Sequence, residues 1–161
     1  MAAPSACSGD RSPVAAMDDA VVRRWNETVG HDDTVWHLGD FAVRVALGRA
    51  ADLLGALSGI KHLIAGNNDP PGVRTLPGWV SVRNYAELEL DGRRLILCHY
   101  PLRAWKAQHR GALQLHGHSH GRLKPLPRQF DVGVDAHDFR PVTLEDLLGE
   151  SAPRRGAPVR T

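Results

Sequence analysis

Two short β-rich runs narrow the fold more than anything else in this chain. Each stops at a glycine followed by polar residues able to ligate. Thr34-Val35-Trp36-His37-Leu38 ends at Gly39-Asp40, and Ile60-Lys61-His62-Leu63-Ile64-Ala65 ends at Gly66-Asn67-Asn68-Asp69. Between them, Val43, Ala46, Leu47, Ala50, Leu53, Leu54 and Leu57 recur at helical spacing, and Gly59 closes the helix. Strand, amphipathic helix and strand in that order predict a βαβ unit with parallel strands and a right-handed crossover. In open α/β sheets, sites collect at the carboxyl ends of strands, where Asp40 and Asn67 fall.

The densest chemistry lies further on, in Leu113-Gln114-Leu115-His116-Gly117-His118-Ser119-His120-Gly121. An apolar run delivers three imidazoles between glycines. Alternate residues of extended chain share a face, so a His-x-His at a strand end can aim two rings into one cleft. Neutral imidazole is the commonest protein ligand for transition metals. Alone, the pattern reads equally well as a His-rich surface turn. A fourth strand candidate, Arg94 to Cys98, delivers His99 before Tyr100-Pro101 turns away. The chain has nine histidines, a bias toward metal or acid–base chemistry and away from packing. Asp40, Asn67, His99, His118 and His120 together form an oxygen and nitrogen donor set that suits Mn, Fe, Ni or Zn.

The remaining elements follow from local signals. Ser12-Pro13 starts a helix through Met17, Val21, Val22, Trp25 and Val29, and Gly30 ends it. Pro70-Pro71 is expected to forbid an immediate helix. Val80 to Val82, Ala86 to Leu90, Ala112 to Leu115 and Gln129 to Asp135 are further strand candidates, and Asp91-Gly92 signals a two-residue hairpin. Thr143 caps a short helix through Leu144, Leu147 and Leu148. The chain's 161 residues suit one domain, taken as 13–150, with a loose segment 1–12 and a disordered tail 151–161.

Bulk properties exclude several classes. Twenty basic and 18 acidic residues leave a formal charge of +2, so no strong field for nucleic acid or an anionic membrane surface is expected. There is no basic aromatic stripe, no apolar run approaching the ~20 residues of a spanning helix, and no signal-peptide pattern. Cys7 and Cys98 are far apart and imply no disulfide framework, which fits a reducing, cytoplasmic setting.

Read together, these segments resemble the calcineurin-like metallophosphoesterases. That family's pattern runs Asp-x-His, Gly-Asp, Gly-Asn-His-Asp/Glu, a strand-end His, then Gly-His-x-His. The last four segments appear in order as Gly39-Asp40, Gly66-Asn67-Asn68-Asp69, His99 and Gly117-His118-Ser119-His120. The flanks Trp36-His37-Leu38-Gly39-Asp40-Phe41, Cys98-His99-Tyr100-Pro101 and Phe130 to Asp135 look like a small bacterial branch, and the resemblance covers roughly 17–148. It implies an α/β fold, a four-layer α/β/β/α sandwich of two mixed sheets with the first strand missing. It also implies two divalent metal ions ~3.5–4 Å apart. Asp40 would bridge both ions, Asn67, His99 and His118 would complete one position, and His120 would serve the other. The implied activity is hydrolysis of a phosphomonoester or phosphodiester by a metal-bound hydroxide, with Asp40 and Asn68 in catalytic roles. A small phosphate ester or nucleotide would be the substrate.

Two departures matter. No Asp-x-His precedes Asp40, since Asp10 is followed by Arg11-Ser12. The first metal position is therefore expected to be incomplete and to bind poorly. Either Met1 is an internal methionine of a longer protein, or the chain is short and its site mononuclear or weak. Second, Asn68 stands where the family usually has His. Asn cannot transfer a proton at neutral pH, so a preference for good leaving groups is expected, or another acid such as His109 or His137. Asp69, His116 and Arg103 are candidates to support the ligands or contact substrate. Asp131 and Asp135 either orient imidazoles or are surface charges. His37 and His62 read as structural, and Trp25 and Trp36 as core. The rival reading is an inactive or mononuclear relative acting as a binding module.

Overall fold

The computed structural model describes residues 13–124 and 126–149. The expected loose segment 1–12, the Ser12 cap and the tail 151–161 lie outside the described residues. In chain order the elements are α1 (Pro13–Thr28), β1 (Thr34–His37), α2 (Leu47–Ala56), β2 (Ile60–Ile64), α3 (Pro71–Arg74), β3 (Trp79–Arg83), β4 (Tyr85–Leu90), β5 (Arg93–Cys98), β6 (Leu113–His116), β7 (Gln129–Asp131) and α4 (Leu144–Leu148). They build an α/β fold with two sheets, ordered β1-β2-β3 and β4-β5-β6-β7.

The expected βαβ unit is present. β1 runs parallel to β2, with Thr34 opposite Ile60 and His37 opposite Leu63, and α2 forms the connection. The first sheet is parallel throughout, which corrects the expectation of two mixed sheets. Only the second sheet is mixed. The β4–β5 hairpin makes it so, while β5–β6 and β6–β7 are parallel. Asp91 and Gly92 turn that hairpin, with φ of 51° and 71°. Positive φ at both central residues is what a tight turn matched to strand twist requires.

Local departures have local causes. The helix at Pro71 forms despite the double proline, because the first helical position has no use for an N–H and Pro70 takes the extended conformation a pre-proline residue favours. α2 begins at Leu47, not near Val43. A turn over residues 41–44 precedes it, and Arg44 sits at φ 60°. β7 ends at Asp131, and Val134–Ala136 is a 3-10 turn.

The core is shared between the sheets. Leu38 and Ile64 from the first sheet pack with Ala86, Leu95, Leu97 and Leu113 from the second, and Leu144 of α4 joins them. Other clusters bind the helices to the first sheet. Ala50 and Leu54 of α2 meet Ala42, Val73 and Leu76, and Trp25 and Val29 meet Leu57 with Val35 packed alongside. Replacing a fully buried leucine such as Leu54 by alanine costs about 2–5 kcal/mol in such settings. Trp105 belongs to the opposite face of the second sheet. It packs on Ile96 and Ala112 and donates its indole N–H to the Ala112 carbonyl at 2.8 Å. Across the sheets, then, packing places the carboxyl ends of β1, β2, β5 and β6 together.

Candidate metal centre

The site is assembled at those four strand ends. After β1 the chain passes through Gly39 at φ 92° and Asp40 at φ 59°. A Cβ at Gly39 would stand 2.4 Å from the His99 Nδ1 and 2.7 Å from the Gly66 backbone, so only glycine lets the three segments close up. Gly66 is as tightly constrained, with a virtual Cβ 2.2 Å from Asp40 Oδ1. Asp40 and His118, and His120 beyond them, all hold left-handed backbone conformations, at φ 59°, 63° and 50°. Such strain persists only where the surroundings over-determine it, and it concentrates at functional sites.

His99 anchors the arrangement. It is 1% exposed, and its Nδ1 donates to the Leu38 carbonyl at 2.7 Å. That bond fixes the tautomer, because a carbonyl only accepts. In the neutral ring Nε2 then carries a lone pair. It faces Asn67 Oδ1 at 3.0 Å and Asp40 Oδ2 at 3.6 Å. His118 completes the group: ligand atoms of Asp40, His99 and His118 all lie within 4.8 Å of one another. A cluster of acceptors with its lone pairs turned inward is the donor set a borderline divalent cation requires. The residues present therefore fit one such ion.

The supporting contacts are specific. The buried Asp69 carboxylate accepts the backbone N–H of Asp40, Phe41 and Gly66, each at 2.8 Å, and so ties the two loops together. Asn68 is turned toward Asp40. Its backbone N–H donates to Asp40 Oδ1 at 2.8 Å and its amide to Oδ2 at 2.9 Å. Gly117 donates its N–H to the His99 carbonyl at 3.1 Å, linking the loop that carries His118 to the end of β5.

His120 stands apart from the three-residue cluster. Its Nδ1 donates to Asp135 Oδ2 at 2.5 Å, and both side chains are exposed. Asp131 secures the same loop by accepting from Ser119 Oγ at 2.6 Å and from the N–H of Gly121 and Gly133 at 2.8 Å. Burial raises the Asp131 carboxyl, but the bonds from Ser119, Gly121 and Gly133 outweigh it and hold the group below the usual carboxylate range. His116 is buried and donates to the Gly117 carbonyl, while Arg103 and His109 are exposed. His137 donates to the Asp131 carbonyl at 2.7 Å.

His37 packs edge-on against Phe41 with ring centroids 5.3 Å apart. Its Nδ1 is buried without a hydrogen-bond partner. Burial pushes its pKa below the ordinary value, and the Asp69 and Asp40 carboxylates oppose this only in part. His62 stacks on Trp36 at 4.5 Å and shares a 2.7 Å bond with Ser81 Oγ. Sequence reasoning missed Tyr100 as part of the site, treating it only as the start of a turn. Its position directly after the strand-end His99 was the available signal.

Comparison with known proteins agrees with this geometry. The family model described as a calcineurin-like phosphoesterase superfamily domain matches residues 16–126. The chain is 32% identical over 151 residues to the gene 66 protein of Mycobacterium phage D29, covering 73% of this chain and 75% of the phage protein. It is 26% identical over 163 residues to an uncharacterized protein of Methanocaldococcus jannaschii, covering 96% and 85% of the two chains. A crystal structure of a protein of unknown function from Aquifex aeolicus has a similar fold. The TM-score is 0.67 at 20% identity, over 82% of this chain and 83% of that one.

Proposed function

The chain belongs to the calcineurin-like phosphoesterase superfamily, and from that premise we propose that it is a metal-dependent hydrolase of phosphate esters. The observation that carries this reading is the convergence of His99 Nε2, Asn67 Oδ1 and Asp40 Oδ2 on one point, with His118 beside them. Those four residues would hold a cation, with manganese, iron, nickel or zinc suited to the donors. A cation held there would neutralise phosphoryl charge and make hydroxide available near neutral pH.

The chain's own residues supply positioning. Asp69 holds the Asp40 backbone, Asn68 sets the Asp40 carboxylate, and the Leu38 carbonyl sets the His99 ring. Asn68 spends its amide on Asp40 and offers no proton for a leaving group, which favours esters of acidic alcohols. The outer layers of the sandwich would be α1–α3 on the first sheet and the segment 102–112 on the second. A small ester or nucleotide substrate and a cytoplasmic setting belong to the same proposal.

The test is to strip the protein with chelator, reload it with each candidate ion, and follow both uptake and hydrolysis of p-nitrophenyl phosphate and bis(p-nitrophenyl) phosphate. Metal-dependent turnover that disappears in Asp40→Asn supports the reading. Absence of metal uptake, or full activity in Asp40→Asn, overturns it. A second reading, a mononuclear binding module without turnover, is favoured by one observation: His120 pairs with Asp135 and not with the cluster. A stoichiometry of one ion per chain, with no hydrolysis of either ester, would select it.

A further inference from the structure

We propose that Tyr100 determines leaving-group specificity by giving the site an aromatic wall that favours esters with a flat, unsaturated leaving group. This rests on the phosphoesterase reading above. The Tyr100 ring lies edge-to-face against two imidazoles of the cluster, 5.0 Å from His99 and 4.8 Å from His118. Each such contact sets the edge of one ring against the face of the other and covers only part of the Tyr100 aromatic surface. Tyr100 is 44% exposed, so a large part of that surface meets solvent beside the cluster. The other exposed side chains named around the cluster, Asn67, Asn68 and His118, are polar. An ester anchored by its phosphoryl group would therefore meet one aromatic surface among them.

The wall is held rigidly. Gln114 is fully buried, and its Nε2 donates to the Tyr100 carbonyl at 3.2 Å while its Oε1 accepts the Leu102 N–H at 3.3 Å. Gln129, also buried, donates to the Leu102 carbonyl and to Gln114 Oε1, both at 2.7 Å. Buried amides are costly unless satisfied. Here two of them, from neighbouring strands β6 and β7, are directed at the backbone on either side of Pro101. An exposed aromatic alone would be ordinary. An exposed aromatic fixed by a buried amide pair at the rim of a ligand cluster is a preorganised contact surface.

The experiment uses the full chain loaded with Mn²⁺ and two phosphonates that cannot be hydrolysed, phenylphosphonate and methylphosphonate, with calorimetric affinities. Wild type is expected to bind the phenyl compound at least about fivefold more tightly than the methyl compound. Tyr100→Phe should keep that preference. Tyr100→Ala should lose it while Mn²⁺ and methylphosphonate affinities stay unchanged. The proposal is overturned if wild type shows no preference, or if Tyr100→Ala retains it. It is equally overturned if Tyr100→Ala loses Mn²⁺ affinity, because the ring would then act as a prop for His118. A separate Mn²⁺ titration of wild type keeps the two readings apart: no binding there sinks the metal site itself.

Discussion

The Asp69 carboxylate, in the loop after β2, accepts the backbone N–H of Asp40, in the loop after β1, at 2.8 Å. With Phe41 and Gly66 donating to the same side chain, one buried acid organises both loops. Asp69→Asn should turn an amide donor toward at least one of those N–H groups and leave it unpaired. The expected cost is about 2–3 kcal/mol of stability, read by urea denaturation, together with weaker Mn²⁺ binding by calorimetry. Unchanged values in both would show that the clamp is dispensable.

Gly66→Ala tests close approach without removing a ligand. The new methyl would fall 2.2 Å from Asp40 Oδ1 and 2.6 Å from the Asp40 nitrogen. Displacing that carboxylate by a fraction of an ångström should lower turnover by about tenfold or more. Gly48, inside α2 with no atom within 4 Å of its virtual Cβ, is the control. Gly48→Ala should be neutral or stabilise by up to about 1 kcal/mol.

His118 separates binding from folding. Its side chain is exposed but contributes a ligand atom to the cluster. Asn tolerates the left-handed conformation at φ 63°, so His118→Asn should leave the melting temperature nearly unchanged. Metal affinity should fall by at least about a hundredfold, more than the loss of an outer contact causes. A parallel fall in thermal stability would mean that the ring is structural.

The direction of the Asp131 shift sets an acid response. Its folded pKa lies below the usual value, so the stabilisation is present above about pH 4 and disappears as pH falls through the folded pKa. Wild type and Asp131→Asn should therefore differ most in stability above about pH 4 and converge below it. Urea melts between pH 6 and pH 2 would show this, and a constant gap across that range would contradict it.

Leaving-group acidity should govern rate. Asn68 is occupied by Asp40, and general acid help is worth roughly 10²–10⁴-fold where it exists. Aryl esters such as p-nitrophenyl phosphate should turn over far faster than alkyl esters on the loaded protein. Equal rates on both would require another acid in the site.

The meeting of Asp40, Asn67, His99 and His118 was legible because each follows a β-rich run, with a glycine directly before Asp40, Asn67 and His118. Strand ends in α/β folds share an edge, so the pattern in one dimension carried over to three. The clamp was less legible. Asp69 was a candidate to support the ligands or contact substrate, but nothing local says that its carboxylate reaches back to Asp40 and Phe41. The parallel first sheet was implied by the βαβ unit and the antiparallel pair of the second by Asp91-Gly92, while the expectation that both sheets are mixed came from resemblance. Pro70-Pro71 concealed α3 because its helix starts at the second proline. Gln114 and Gln129 sat in strand patterns as ordinary polar residues, and their mutual burial arises from the pairing of β6 with β7. His120 was expected to serve a different position from His99 and His118, and Asp135 was one of two aspartates open to orienting an imidazole. That it pairs with His120 was not legible, since it lies 15 residues away in sequence.

Hydrogen bonds from backbone N–H groups to Asp69 knit the loops of Asp40 and Asn67 together. Folding and loading are then expected to be separate events. A chelator should empty the protein without melting it, in contrast to small zinc modules that collapse when stripped. Which ion the proposed centre took up in a cell would then follow from supply and exchange as much as from the donor atoms, and one preparation would differ from the next in its metal while sharing a single shape.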